Sequence, residues 1–279
     1  RRQGIKVLLS GVGGDDLFTG YRRHLSLNFE PYWSWLPRSS RLALRSISHM
    51  FRNLSVFNRR LARTFEVAHK SSHDRLIHYF HWASPPVLNS LLNNRFQLEL
   101  HNYSPDLPLL DWLDNLPSDL TGIQKMLSLE QRFFLGDHNL IYTDSMSMAA
   151  GVEVRVPFLD TELLEFSWCL PDFYKQRGLC SKWVLKQAMK GLLPSDVIHR
   201  PKSGFGAPLQ RWLRFDLYNL VMDTLSESRI VSQGLFDFGS VKSLLQKHYS
   251  GSGDYSYIIW SLVCITLWCE MRVDSNCLN

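Results

Sequence analysis

A short apolar run that leads directly into a glycine-rich loop is the feature that most constrains the fold of this chain. Ile5–Leu9 is apolar and contains β-branched residues, which predicts a short buried strand. The stretch Gly11–Gly14 supplies three glycines for a turn, and Asp15 or Asp16 is placed to cap a helix that follows. A strand, a glycine loop and a helix start together form an anion site from backbone N–H groups, so the loop is a candidate phosphate site.

The two adjacent carboxylates in this loop need an explanation, because they should repel a phosphate. A divalent cation between them removes the conflict, since Mg²⁺ binds one or two carboxylates together with phosphate oxygens. The loop therefore predicts a magnesium-bound nucleotide or pyrophosphate, although a tight turn with an acidic helix cap explains its composition equally well. It has neither the lysine of a P-loop nor the third glycine of G-x-G-x-x-G, which argues against an ordinary P-loop protein or a dehydrogenase.

The rest of the chain predicts helices almost throughout. Spacing of apolar residues is helical but irregular over about 25–119, and a long helix is predicted over 121–144. Helices are also predicted in "TELLEFSWCLP", which stops at Pro171, and in "SKWVLKQAMKGLLP". The apolar run Tyr255–Trp268 is too short to span a bilayer and predicts a buried core helix. The chain itself is thus expected to be mostly α-helical with one clear N-terminal strand.

Charge is spread unevenly along the 279 residues. The net charge of +5 suits an enzyme for anionic substrates and does not require a nucleic-acid partner. The stretch Arg38–Lys70 contains eight Lys or Arg residues and one acid, Glu66. We interpret it as a solvated helix face or a packing surface, because the aromatic and glycine interleaving of RNA-binding proteins is absent.

Two further segments contain charged candidates. "RPKSGFGAP" places Lys202 between a proline and a flexible Ser-Gly pair, which suits charge stabilisation over a reacting phosphate or acyl group, or simply a solvated loop lysine. "DSMSMAAGVEVRVPFLD" embeds charges among apolar residues, which predicts buried pairing of Glu153 with Arg155 or Lys182. The methionines of this segment, at positions 146 and 148, are expected in the core.

Four segments in this order resemble the synthetase domain of glutamine-dependent asparagine synthetases. They are "LSGVGGDDLFTGY", "DHNLIYTDSMSMAAGVEVRVPFLD", "SKWVLKQAMKGLLP" and "RPKSGFGAP". Each is weak alone, but the ordered set is specific. The resemblance covers roughly the first 25 residues and 136–212, and it divides the chain into a strand and nucleotide loop (1–24), a variable helical insertion (25–120) and a helical part with site residues (121–279).

The resemblance implies an α/β fold of the adenine-nucleotide α-hydrolase type and an ATP- and Mg²⁺-dependent ligase. The family adenylates the side-chain carboxylate of aspartate, and ammonia then displaces AMP, while pyrophosphate leaves. Ammonia comes from glutamine through an N-terminal glutaminase domain. That domain and the S-G-G-x-D-S pyrophosphate loop are absent from this sequence and are expected upstream of Arg1, so we expect this part alone to be inactive.

The resemblance also assigns roles to single residues. Asp15 falls on the acid that holds magnesium and pyrophosphate, and Lys202 falls on the lysine expected to stabilise the transferring phosphate. We therefore expect these two to be catalytic. The nucleotide-binding positions are Ser10, Gly11, Gly13 and Tyr21, and the supporting positions are Asp16, Glu153, Arg155, Asp160 and Lys182.

Val12 departs from the family pattern. Asparagine-forming members often have Glu there, tied to formation of the aspartyl adenylate, and valine has no donor, acceptor or charge to offer. Aspartate and another carboxylate are therefore both open as the acceptor, and a non-catalytic nucleotide-binding module is a third hypothesis. We expect a cytoplasmic protein, since the five scattered cysteines contain no C-x-x-C pair. Neither nucleic acid nor membrane is expected as a partner, and a homodimer is left open.

Overall fold

Helices make up most of the chain in the computed structural model, as the sequence predicts. The structure describes residues 1–52, 54–101, 103–200 and 207–272. The strands are β1 Val7–Leu9, β2 Glu153–Arg155, β3 Gln176–Arg177 and β4 Cys180–Ser181. The α-helices are α1 Gly14–Leu17, α2 Arg22–Phe29, α3 Arg38–Met50, α4 Val56–Phe65, α5 Ser72–His78, α6 Pro85–Leu91, α7 Asn94–Glu99, α8 Leu107–Asp114, α9 Gly122–Leu129, α10 Ile141–Ala149, α11 Thr161–Cys169, α12 Asp172–Lys175, α13 Trp183–Ala188, α14 Ser195–Ile198, α15 Leu209–Arg214, α16 Tyr218–Thr224, α17 Glu227–Gln233, α18 Phe238–Tyr249 and α19 Ser256–Arg272.

The described residues fall into two compact units. Unit 1 consists of described residues within 1–79 and 108–201, and it contains the glycine loop. Unit 2 consists of described residues within 80–107 and 202–279. Because each unit combines two separate stretches of chain, tertiary contacts rather than chain order define them.

The first strand of unit 1 has a partner that the sequence analysis missed. β1 pairs in parallel with β2, with Val7 opposite Glu153 and Leu9 opposite Arg155. Only three residues long, β2 precedes the Pro157 break and is too short for its alternation to be recognised in the sequence. The prediction that β1 is buried is wrong for the described chain, because Leu9 is 74% exposed.

The predicted long helix is confirmed and is longer than expected. Helical backbone is continuous from α9 through a π-helical segment, Glu130–Leu140, to the end of α10. A capping box starts it: the Thr121 hydroxyl accepts from the Gln124 N–H at 3.1 Å, and the Gln124 side chain accepts from the Thr121 N–H at 2.9 Å. The core prediction for two methionines of α10 is wrong, since Met146 is 70% and Met148 is 55% exposed.

Two shorter helices of unit 1 were also predicted. α11 ends before Pro171 as expected, and Asp160 caps it by accepting from the N–H groups of Glu162 and Leu163. α13 is shorter than the apolar pattern suggests, because Cys180–Ser181 is taken by β4 and Lys182 is left-handed, with φ of 53°. This kink at Lys182 bears directly on the site described below.

Unit 2 is built around α19, the helix predicted from the apolar run. Its residues Ile259, Leu262 and Val263 are buried, which confirms the expected core helix. They pack with buried apolar residues from the rest of unit 2, namely Leu91, Leu213, Val221, Leu225, Ile230, Val241, Leu244 and Leu245. Within the part of the chain that the structure describes, no helix combines the length and apolar character that crossing a bilayer requires.

Candidate functional site

The glycine loop connects β1 to α1 and has a different cap from the one expected. Gly13 occupies the N-cap position with φ of +90°, and Asp15 and Asp16 lie in the first turn of α1 without capping it. A Cβ at Gly13 would lie 2.6 Å from Cδ2 of Leu159, so glycine is required both by conformation and by close packing. The expectation of an aspartate cap is therefore wrong, because the left-handed turn at Gly13 carries both carboxylates past the cap position.

Asp15 forms an ion pair with a residue that is distant in sequence. Lys182 Nζ donates to Asp15 Oδ1 at 2.8 Å. The Lys182 backbone N–H also donates to the Phe18 carbonyl at 3.1 Å, which ties the left-handed residue to the loop. About a quarter of the Asp15 side chain remains exposed, so its carboxylate is accessible from solvent.

Gly20 makes room for the Asp15 carboxylate. Its N–H donates to the Asp15 carbonyl at 2.8 Å, which folds the chain back over the first turn. A Cβ at Gly20 would lie 1.8 Å from Asp15 Oδ1. Any larger residue at this position would therefore displace the carboxylate from its place.

Asp16 has the opposite environment from its neighbour. It is 1% exposed, and the Tyr21 hydroxyl lies 3.3 Å from both of its carboxylate oxygens and donates to them. Burial and the nearby Glu130 charge raise the pKa of Asp16 from 3.8 to about 6. Burial also raises the pKa of Tyr21, so that hydroxyl remains a donor. Of the two adjacent carboxylates, only Asp15 can meet a ligand from solvent.

A buried ion cluster beneath the loop was missed in the sequence analysis. Glu130 is fully buried and accepts from Arg23 Nε, and its other oxygen lies 2.8 Å from Nε2 of His24. His24 Nδ1 in turn accepts from the Tyr21 N–H at 3.2 Å, which fixes the chain as it leaves the loop. The available signal was the lone acid in "KMLSLEQRFFL", because a charge on an apolar helix face needs a partner.

Gln131 also supports the loop and was not predicted. Its Nε2 donates to the Asp16 carbonyl at 3.3 Å, and its Oε1 accepts from Trp168 Nε1 at 3.1 Å. One amide thus connects α1, the π-helical segment and α11. No local sequence pattern marks this role.

Glu153 and Arg155 pair with each other, but not in the interior. Arg155 Nε donates to Glu153 Oε1 at 2.8 Å, and both side chains are more than half exposed. The expected burial is therefore wrong, because among the described residues the two-stranded sheet of β1 and β2 is largely exposed. The Ser10 N–H donates to the Arg155 carbonyl at 2.8 Å, so β2 still sets the start of the loop.

The remaining predicted positions divide by location. Ser10 is half-buried and Gly11 is exposed at the loop, while Lys202 lies outside the described residues. A Cβ at Gly11 would meet no atom within 4 Å, so a ligand could approach the backbone closely there. The structure thus brings Ser10, Gly11, Gly13, Asp15 and Lys182 together.

The donor set of the loop fits a magnesium ion that takes most of its ligands from phosphate and water. The described residues contain no group of three or more His, Cys, Asp or Glu side chains that could hold a metal. A single accessible carboxylate is nevertheless enough for Mg²⁺ when a nucleotide supplies further oxygens. The loop can therefore combine one carboxylate, one ammonium group and an open glycine backbone around an anionic ligand.

Comparison with known proteins gives a consistent family. The model of the family described as asparagine synthase matches residues 1–270. A putative glutamine-hydrolysing asparagine synthetase of Mycobacterium bovis is 28% identical over 99% of this chain and 41% of its own length. Glutamine-hydrolysing asparagine synthetase 1 of Bacillus subtilis is 27% identical over 98% of the chain and 41% of its own length.

A fungal protein is also similar. Amidase chyE of Penicillium rubens is 23% identical over 89% of this chain and 39% of its own length. The chain thus spans about two fifths of the length of these three relatives. No solved structure matches it with a significant score.

Proposed function

The chain belongs to the asparagine synthase family, and from this premise we propose that the protein is an ATP-dependent, glutamine-hydrolysing asparagine synthetase. It adenylates the side-chain carboxylate of aspartate and transfers ammonia to that carbon, giving asparagine, AMP and pyrophosphate. Because the chain spans about two fifths of its relatives, this activity is proposed for the whole protein. A glutaminase domain outside this chain would supply the ammonia, and the chain alone is expected to be inactive.

The observation that carries the proposal is the accessible Asp15 carboxylate on an open glycine loop. Its neighbour Asp16 is buried, so the loop presents only the Asp15 carboxylate to an incoming phosphate. A cation held by Asp15 would lie between this carboxylate and the phosphate.

The roles of the chain's own residues follow from this geometry. Asp15 would hold Mg²⁺, which neutralises phosphate charge when bound. Gly11 and Gly13 allow the nucleotide to approach the backbone, and Ser10 lies beside them at the strand end. Lys182 fixes the position of the Asp15 carboxylate through their 2.8 Å ion pair.

Lys202 completes the proposed chemistry from outside the described residues. When the aspartate carboxylate attacks the α-phosphorus, negative charge develops on the phosphate oxygens. A lysine ammonium placed there stabilises this charge more in the transition state than in the ground state, which lowers the barrier. The loop contributes orientation of the two reactants.

A second candidate function is an amidotransferase that acts on another carboxylate. Val12 favours it, because this half-buried loop residue brings no polar group where asparagine-forming relatives often have Glu. Two fungal relatives, chyE and chry2, are named amidases rather than asparagine synthetases. A nucleotide-binding module without catalysis is the third candidate. A cytoplasmic location belongs to the proposal, and a homodimer stays open.

Pyrophosphate release from ATP by the full-length protein tests the proposal. With aspartate and ammonia present, we expect release in the unaltered protein and a loss of about 100-fold or more in Lys202→Ala and Asp15→Asn. Arg95→Ala is the matched control, because this arginine is 88% exposed and forms an exposed pair with Glu99 four residues later on α7.

The acceptor is identified in the same assay. Pyrophosphate release that requires a carboxylate other than aspartate would identify the protein as an amidotransferase that acts on that carboxylate. ATP binding without release for any carboxylate tested would leave the non-catalytic module.

A further inference from the structure

A strongly basic part of unit 1 has no role in the proposed function. Residues 31–65 contain seven arginines and neither Asp nor Glu. Six of these arginines lie on α3 and α4, which pack together as a helical hairpin, and most of the six are exposed. The positive charge is therefore concentrated in one region of the molecule rather than balanced locally.

The basic hairpin borders an open cavity of about 430 Å³ within unit 1. Three positively charged side chains and one carboxylate line the cavity, together with a histidine and a serine. The lining residues are Arg38, Arg41, His69, Lys70, Ser71 and Asp74. The cavity is thus a site of net positive charge.

The single carboxylate of the cavity is engaged at the start of α5. Ser71 caps this helix by accepting from the Asp74 N–H, and its hydroxyl donates to Asp74 Oδ2 at 2.8 Å. Among the described residues, Asp74 forms no ion pair with the cavity cations, and its position in the first turn of α5 favours its negative charge. The cations are therefore not neutralised by the one acid beside them.

Arg41 is held in place at the cavity wall. Its Nη1 donates to the carbonyls of Ala68 at 2.9 Å and Lys70 at 3.3 Å. These contacts fix the guanidinium plane against the connection between α4 and α5. A guanidinium that is already oriented loses less conformational freedom when it binds a ligand.

Two polar atoms of the cavity residues are buried without a hydrogen-bond partner in the described part of the chain. They are Arg41 Nε and His69 Nδ1. Buried polar groups are usually hydrogen-bonded, so these two atoms leave the polar groups of the cavity residues incompletely satisfied. An anionic oxygen acceptor suits the Arg41 N–H, and the neighbouring Arg38 and Lys70 supply further positive charge.

We propose that this cavity binds a small phosphate-bearing anion. A phosphate group carries about two charges and several acceptor oxygens, which matches two guanidinium groups and an ammonium better than a single carboxylate does. Nucleic acid is the weaker fit, because the unpartnered atoms belong to one cavity instead of following the length of the hairpin. The site is separate from the glycine loop and independent of the proposed activity.

His69 provides a local readout of binding. Burial and the cations Arg45, Arg38, Lys70 and Arg41 lower the pKa of this histidine. A bound phosphate would offset those cations and raise the pKa of His69 again. Phosphate bound far from this cavity would change the pKa of His69 much less, because interactions between charges are screened beyond about 10 Å.

The test is a titration of the full-length protein with inorganic phosphate at constant ionic strength, with chloride as the reference anion. Calorimetry gives the affinity, and the NMR signals of the His69 ring give its pKa. We expect saturable binding, a rise in the pKa of His69, and at least tenfold weaker binding in the double variant Arg38→Ala/Lys70→Ala. The control Arg59→Ala/Arg60→Ala removes the same charge from exposed positions on α4 and should change the affinity less than twofold.

Three results would overturn the proposal. The first is phosphate binding that is no stronger than chloride binding. The second is an equal loss of phosphate affinity in both double variants, because this would mean that the overall positive field of the hairpin, and not the cavity, attracts the anion. A parallel titration uses vesicles of phosphatidylserine in phosphatidylcholine. Vesicle binding that is lost in the cavity variant, without binding of free phosphate, would replace the small anion by a lipid headgroup as the occupant.

Discussion

Two adjacent aspartates in the glycine loop show how strongly a single residue's environment decides its chemistry. Asp15 is partly exposed and paired with Lys182, whereas Asp16 is buried against Tyr21. The two residues have the same side chain, but from the first turn of α1 their side chains point into different environments. The sequence identified the pair as unusual, but burial separates the ligand-facing residue from the structural one.

Asp16 should make the stability of the protein depend on pH. Its carboxyl pKa is raised to about 6 in the folded state, so the folded protein binds more protons than the unfolded chain between about pH 4 and 6. Stability due to this residue is therefore lost as the pH rises through that window, by up to about 3 kcal/mol. Asp16→Asn removes the ionisation and keeps an oxygen that can accept from Tyr21, so we expect it to raise the melting temperature near pH 7.5.

Thermal unfolding of both proteins near pH 4.5 and pH 7.5 checks this prediction. The variant should gain stability at the higher pH and change little at the lower one. An equal shift at the two pH values would mean that packing, rather than ionisation of Asp16, accounts for the effect.

At the scale of elements, the site depends on a turn and a strand pairing that join distant parts of the chain. β1 was recognised from its apolar residues and the long helix from its periodicity, whereas the capping box at Thr121 was found only in the structure. The pairing of β1 with β2 was not recognised, because the two strands are separated by almost 150 residues and register is set by tertiary contact. The Arg23–Glu130–His24 cluster was missed for the same reason.

Gly20→Ala should lower activity more than stability. The new Cβ would lie 1.8 Å from Asp15 Oδ1, so the carboxylate must move away from Lys182. Displacement of a positioned group by about 1 Å can cost up to about 100-fold in rate, and we expect a loss of 10- to 100-fold in pyrophosphate release by the full-length protein.

Gly122→Ala is the control for this variant. A Cβ at Gly122 meets no atom within 4 Å, and this glycine begins α9. It should keep full activity and be at least as stable, because alanine favours a helix over glycine. Equal activity of the two variants would show that the position of Asp15 does not matter to the reaction.

At the scale of the whole molecule, unit 1 leaves apolar side chains exposed on adjacent elements. Leu8 and Leu9 of β1 and Met146 and Met148 of α10 are all at least 48% exposed. Among the described residues, β1 pairs only with β2. An exposed apolar edge strand promotes association between chains.

The 279-residue chain expressed alone should therefore be poorly soluble. Leu9→Lys combined with Met146→Lys should increase its soluble fraction several-fold, because charge on an edge discourages pairing between copies. Leu179→Lys is the control, since this leucine is also exposed but lies between β3 and β4. Size-exclusion chromatography measures the outcome, and a monodisperse, cooperatively melting unaltered chain would contradict the prediction.

The amino-acid sequence by itself determined the local features of this protein. They include the strand before the glycine loop, the helices, and the candidate residues at the loop, because periodicity, caps and glycines act between near neighbours. Tertiary structure alone decided which carboxylate faces solvent, that Lys182 meets Asp15, and that the basic hairpin borders a cavity. These depend on burial and on contacts between residues far apart in the chain, and local residue preferences do not encode them.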